Sequence, residues 1–233
     1  MVGNNPESVD EMTAKVRDYL AEVYRLADHN PNSPYVSTST LADLMDVTAP
    51  AVNRMVTRLK DMGLLEHEPY QGIRLTEAGK REALKELRRH RIAEAFLVNV
   101  MGFGWHEVHE EARRISSALG DVLAERMASM AGNPAYCPHG EPVPSPEGEI
   151  ESIEDHAISD VQPGGGLLQI TRVLMREPDR LEYLTALGLT PGKQIEVLHA
   201  APFNGPIQIR LGEEYRIVGH NLAEQIRVKP ASL

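Results

Sequence analysis

The sequence predicts a mainly α chain with small β parts, and three observations carry that reading. Apolar residues recur at helical spacing over most of residues 10–130, a short hairpin interrupts them between Leu64 and Leu75, and short alternating strands follow Gly166. The domains expected from this are residues 1–75, 76–140 and 166–233, with a linker over 141–165.

In the first segment Met12, Val16, Tyr19, Leu20, Val23, Tyr24 and Leu26 share one face, so a helix is expected over residues 10–28, ended by His29-Asn30-Pro31. A hydroxyl within Ser37-Thr38-Ser39-Thr40 can cap a short helix through Leu41, Ala42, Leu44 and Met45. Thr48 is the expected N-cap of the next helix. Pro50 falls in its first turn, where a missing N–H costs nothing, and Gly63 stops it. Val52, Met55, Val56 and Leu59 form its inner stripe. Residues 64–67 and 73–75 are strands around a turn at Pro69, Tyr70, Gln71 and Gly72. Helix, helix and hairpin in this order describe a winged helix-turn-helix.

Thr76 then caps a long helix through Leu84, Leu87, Ile92, Phe96 and Val100 to Gly102. Helices over residues 105–119 and 121–130 follow, separated by Gly120. Their many apolar residues suit a helical dimerisation domain. Residues 132–166 are rich in Pro, Gly and acids with little periodicity, as a linker is. Strands at 167–174, 194–199, 207–211, 215–218 and 225–228, with one helix at 179–187, suggest a small SH3-like barrel.

Composition narrows the function classes. No apolar run approaches the ~18 residues a membrane span needs, and the first residues carry acids where a signal peptide needs basic ones. A cytoplasmic protein with no membrane partner is expected. The single cysteine, Cys137, excludes an internal disulfide and must be inert or a ligand. The net charge of −10 is unevenly spread, with 13 Lys+Arg against 14 Asp+Glu in residues 1–91 and 11 against 20 in residues 92–233. Nucleic acid should therefore bind weakly until something lowers the negative charge, as a divalent cation would.

The helix that opens at Thr48 has a face suited to the DNA major groove: Thr48, Pro50, Ala51, Asn53, Arg54, Thr57 and Arg58. Asn53 can read an adenine, Arg54 a guanine, and Ala51 can touch a thymine methyl. Ser37, Thr38, Ser39, Arg58, Lys60 and the wing residues Tyr70 and Arg74 are placed for the phosphate backbone. A plain solvated face would more often carry Glu and Lys. His90 and Glu94 stand four apart on the long helix and can hold one cation together, and His109, with Glu110 and His106 beside it, offers a second such face. Taken alone, such a pair beside Arg88, Arg89 and Arg91 is more often a solvated salt-bridge face.

The winged helix, the blocks His90-Arg91-Ile92-Ala93-Glu94 and Val108-His109-Glu110-Glu111-Ala112, and the SH3-like end together resemble the diphtheria toxin repressor family of iron- and manganese-dependent transcriptional repressors. The resemblance covers nearly the whole chain from Val9. It implies a homodimer that binds palindromic double-stranded operator DNA when loaded with a divalent metal ion and represses metal-uptake genes. It implies metal ligands at His90, Glu94 and His109, and at Asp18, where a hard carboxylate favours manganese(II) over iron(II). Ala135-Tyr136-Cys137-Pro138-His139-Gly140 resembles the Cys-Pro-His-Gly element through which some manganese-type members add Cys137 and His139. Glu177, with Asp179 and Asp160 as further candidates, aligns with an acidic ligand from the SH3-like domain. The pattern breaks at Arg113, Ser116 and Ser117, where relatives carry ligands of a second site. A regulator that has lost part of its metal control is thus the alternative. A metallohydrolase is disfavoured by the absence of HExxH and of a Gly-rich phosphate loop, so no enzyme is expected.

Overall fold

The computed structural model describes residues 13–30 and 33–231. The expected helix start at residues 10–12 and its stop at Pro31 lie outside them. Two compact units are present: Met1–His90 with Arg114–Asp121 and Pro144–Ile150, and Arg91–Arg113 with Val122–Val143 and Glu151–Leu233.

The first unit opens with α1 (Ala14–Asp28), α2 (Thr38–Leu44) and α3 (Ala49–Asp61), then β1 (Leu65–Glu68) and β2 (Gly72–Leu75). The Ser37 hydroxyl accepts from the Ser39 and Thr40 amides and so caps α2. Thr48 occupies the N-cap position of α3, but its side chain makes no capping bond, and Pro50 in the first turn starts the helix instead. Val16, Tyr19, Leu20, Leu41, Val52, Leu59, Leu65 and Ile73 form one core. Leu65 pairs with Leu75 and Glu68 with Gly72 across the wing, and Val36 bridges Ile73. Thr76 caps α4 (Glu77–Asn99) through the Gly79 amide at 3.1 Å. At Gly79 a Cβ would meet the Leu64 carbonyl oxygen at 1.8 Å, so only glycine lets the helix approach the wing this closely.

α4 continues into the second unit, which also carries most of α5 (Val108–Ser116) and α6 (Asp121–Met130). Helix α5 is shorter than the sequence suggested, because Gly104 to Glu107 form a turn closed by the Glu107 amide on the Gly104 carbonyl. Then follow β3 (His156–Ala157), β4 (Leu167–Val173), α7 (Pro178–Leu187), β5 (Gln194–Ala200), β6 (Ile207–Leu211), β7 (Glu214–Val218), α8 (His220–Ala223) and β8 (Ile226–Pro230). The strands form one antiparallel sheet in the order β3-β8-β4-β5-β6-β7. Irregularities at Ile170/Arg172 and Val197/His199 bend it around a core of Ile158, Ile170, Leu181, Leu184, Ile195, Ile209 and Ile226.

The segment expected to be a linker is not slack. Glu141, Asp155, Ala157 and Ile158 are all buried. Asp155 accepts from Arg172 Nε at 2.9 Å, from Arg227 Nε at 2.9 Å and from the Thr171 hydroxyl at 2.8 Å, fastening this segment to β4 and β8. Burial opposes its ionisation, but the Arg172 and Arg227 guanidiniums and Thr171 outweigh that and hold the carboxyl below the usual carboxylate range.

Candidate metal centre and nucleic-acid face

Glu94 is the hub of the second unit's polar interior. Its side chain is 2 % exposed, and one oxygen, Oε1, lies 3.1 Å from His109 Nδ1 and 3.3 Å from His139 Nδ1. Helix α4 supplies the carboxylate, the first turn of α5 supplies His109, and the Cys137-Pro138-His139-Gly140 turn supplies the rest. Cys137 Sγ is 4.0 Å from His139 Nδ1, and the ligand atoms of Glu94, Cys137 and His139 all lie within 4.8 Å of one another. His90 stands one helical turn before Glu94 on α4, is buried like it, and has a ring nitrogen within 4.8 Å of the carboxylate.

The turn that carries Cys137 and His139 is closed by backbone bonds. The Gly140 amide donates to the Cys137 carbonyl and the Cys137 amide to the Glu141 carbonyl, at 2.9 and 2.8 Å. Gly140 has φ +86°, and a Cβ there would meet the Thr171 carbonyl oxygen at 2.0 Å. Trp105 covers His139 with ring centroids 5.6 Å apart and donates from Nε1 to the Thr185 hydroxyl at 2.6 Å.

This donor set fits a divalent cation. A carboxylate, imidazole nitrogens and a sulfur converge in a buried space, an arrangement that is costly without a positive charge to share. Burial pushes the Cys137 thiol above its ordinary pKa. The Glu94 and Glu141 carboxylates add to that, while Arg91 and Arg176 oppose it. A cation bound here would therefore displace a thiol proton.

The other candidate ligands lie elsewhere. Glu177 is 57 % exposed and pairs with Arg180 at 3.5 Å. Asp160 and Asp179 are exposed, and neither joins a group of potential ligands among the described residues. The same holds for Asp18, which is half-buried on α1 near Glu86. Glu86 itself is buried and lies 3.4 Å from Arg17 Nε and 3.4 Å from Arg89 Nη1, with a hydrogen bond to Ser116. Arg17 Nη2 donates to the Ser117 carbonyl at 3.3 Å, and Arg89 Nη2 pairs with Asp121 at 2.8 Å. Where the family resemblance would put a second metal, the protein thus has the Glu86 carboxylate, with Asp18 near it, already engaged by the Arg17 and Arg89 guanidiniums and Ser116. This set does not fit a cation.

Sequence reasoning missed Arg91, Glu141, Arg176 and Trp105. Arg91 was one of three arginines beside His90 that suited a solvated face, yet it is 3 % exposed and pairs with Glu141 at 2.9 Å. Helical spacing does not separate it from Arg88 and Arg89, because the partner that buries it, Glu141, is distant in sequence.

On the first unit, Thr48, Pro50, Asn53, Arg54, Thr57, Arg58 and Lys60 are exposed along α3, and Ala51 is half-buried. Ser37 and Ser39 are exposed at the start of α2, with Thr38 half-buried, and the Ser37 and Ser39 hydroxyls are 2.6 Å apart. Tyr70 stands fully exposed at the tip of the wing with φ +67°. Arg74 pairs with Glu66 at 2.6 Å and lies over the Tyr35 ring. No helix among the described residues is long and apolar enough to cross a membrane.

Three family models match the chain in series: the N-terminal DNA binding domain of iron dependent repressors over residues 11–73, their metal binding and dimerisation domain over 76–145, and the FeoA domain over 148–230. An iron-dependent repressor, IdeR, of Mycobacterium tuberculosis is 25 % identical over 232 residues, covering 95 % of this chain and 99 % of the relative. An uncharacterized HTH-type transcriptional regulator of Methanocaldococcus jannaschii is 37 % identical over 116 residues, 50 % of this chain and 91 % of its own. A solved manganese-dependent transcriptional repressor in complex with manganese superposes with a TM-score of 0.84 at 29 % identity, over 91 % of this chain and 98 % of that one.

Proposed function

The chain belongs to the iron-dependent repressor family, the group of the diphtheria toxin repressor, and from that premise we propose that it is a metal-dependent repressor of metal-uptake genes, acting as a homodimer on double-stranded operator DNA. The observation that carries the metal half is the buried Glu94 oxygen placed between His109 and His139. His90, Glu94, His109, Cys137 and His139 would hold the ion. Manganese(II) is the proposed ion, in keeping with the manganese-bound relative. Iron(II) is the alternative that the softer Cys137 donor favours.

The DNA half is carried by the exposed α3 face, with Asn53 and Arg54 toward base edges and Arg58, Lys60 and Tyr70 toward phosphates. The ion activates only by binding the operator-competent arrangement more tightly than the other, because equal affinity shifts no population. A reading with reduced metal control is favoured by one feature, the guanidinium network at Glu86. It concerns the number of sites and leaves the Glu94 site untouched.

Duplexes selected from a random-sequence pool with manganese(II) present provide the test. Binding followed by fluorescence anisotropy should weaken at least tenfold on chelation and return with manganese(II) or anaerobic iron(II). Glu94→Ala should remain folded and lose the metal response. Equally tight binding with and without chelator would overturn the proposal.

A further inference from the structure

The acidic residue expected from the C-terminal module, Glu177, is exposed and paired with Arg180. Its neighbour Arg176 reaches inward instead. Arg176 Nη2 lies 2.8 Å from Glu141 Oε2, while Nη1 donates to the Val173 and Met175 carbonyls at 2.7 and 2.8 Å. Glu141 directly follows the Cys137–Gly140 turn, and its side chain is 2 % exposed. The same Oε2 accepts from Arg91 Nη2 at 2.9 Å, and Arg91 Nη1 donates to the Pro142 carbonyl at 2.6 Å. The turn is tied twice more by its backbone, Cys137 N to Glu141 O at 2.8 Å and Val173 N to His139 O at 2.9 Å.

We infer that Arg176, together with Glu141 and Arg91, is a positioning clamp that holds Cys137 and His139 in register with Glu94, and that Arg176, not Glu177, is the C-terminal module's contribution to metal affinity. The inference rests on the metal-site reading above. A carboxylate this deeply buried is tolerable only with charge-assisted partners, and here both guanidiniums are themselves oriented by backbone carbonyls. Arg91 comes from α4, three residues before Glu94, and Arg176 from the segment after β4. Glu141 therefore locks the ligand-bearing turn to the helix that carries the hub carboxylate and to the strand end that receives His139. Removing Arg176 frees one side of that lock while leaving every proposed ligand in the chain. Groups that orient ligands in this way typically change metal affinity about 10–100-fold.

The full-length protein can be tested by titration calorimetry with manganese(II), and with cobalt(II), whose sulfur-to-metal absorption band reports whether Cys137 is a ligand. Arg176→Ala should weaken binding of both ions about 10–100-fold and lower the cobalt–sulfur band at saturation. Arg176→Lys, which keeps the charge but not the two-pronged geometry, should recover part of both. Glu141→Gln should lose affinity as well, and combining it with Arg176→Ala should cost less than the two losses added, because both break one network. Glu177→Ala should leave affinity and band unchanged. Were Arg176→Ala not to fold, by circular dichroism, Arg176→Lys and Glu141→Gln carry the test. Wild-type affinity and band in the Arg176 and Glu141 variants, or an equal loss in Glu177→Ala, would overturn the clamp alone. Absence of metal binding by the unmodified chain would overturn the metal-site reading and the clamp with it.

Discussion

At Asp155 one carboxylate serves two strands, and the cost of losing it can be stated. Asp155→Asn leaves the largely buried guanidiniums of Arg172 and Arg227 without their counter-charge, which should cost about 3–5 kcal/mol in urea unfolding. The pH dependence has a definite sign. The folded-state pKa is depressed below the unfolded value, so the stabilisation is full above about pH 4 and drains away as pH falls through the folded pKa. The melting temperature of the wild type should therefore drop more steeply below about pH 4 than that of the Asn variant. Parallel acid profiles would count against this role. Arg91 and Arg176 show why such residues escape a sequence reading. An arginine buried against a carboxylate 50 residues away has the same letter and the same helical neighbours as one in water.

At the scale of elements, α1 is fastened to α4 and to residues 114–121 by charges, through Arg17 to Glu86 and Ser117, and through Arg89 to Glu86 and Asp121. Burial raises the Glu86 carboxyl above the ordinary range, against the pull of Ser116, Arg89 and Arg17. With this bridge made by protein groups, calorimetry should find one tight equivalent of metal per chain, and Asp18→Ala should not change that number. A second tight equivalent lost in Asp18→Ala would show that α1 does bind an ion. The departures at Arg113, Ser116 and Ser117 were visible in the sequence, but the long-range partners of the two serines were not: Ser116 bonds Glu86 on another helix, and the Ser117 carbonyl accepts from Arg17 on α1. Long periodic elements were well read: α6 and β6 have the expected bounds, and α3 and α7 differ from them by one residue. β3 and α8, with two and four residues, are too short for any period to register. They exist because the Asp155 cluster and the C-terminal core hold them.

For the molecule as a whole, the order of parts was legible because each part has its own hydrophobic period, 3.6 in the helices and 2 in the strands. The proposed metal centre was legible only in halves. His90 and Glu94 announce themselves by spacing, whereas Cys137 and His139 sit 43 and 45 positions beyond Glu94 in a Pro- and Gly-rich stretch whose pattern carries no distance information. The resemblance to known repressors joined those halves, and the buried Glu94 oxygen gives the junction a geometry. The indole above His139 has a further consequence. Trp105 is the only tryptophan in the chain and is anchored at Thr185 with its ring 5.6 Å from that imidazole, so the protein contains its own optical gauge of loading. Paramagnetic manganese(II) at this range should quench the emission in step with occupancy, diamagnetic zinc(II) should shift it without comparable quenching, and His139→Ala should silence both responses. Emission that stays constant while calorimetry records binding would put the ion somewhere other than beside His139. Otherwise the occupancy of this repressor can be read from light alone, with no label attached and no DNA present.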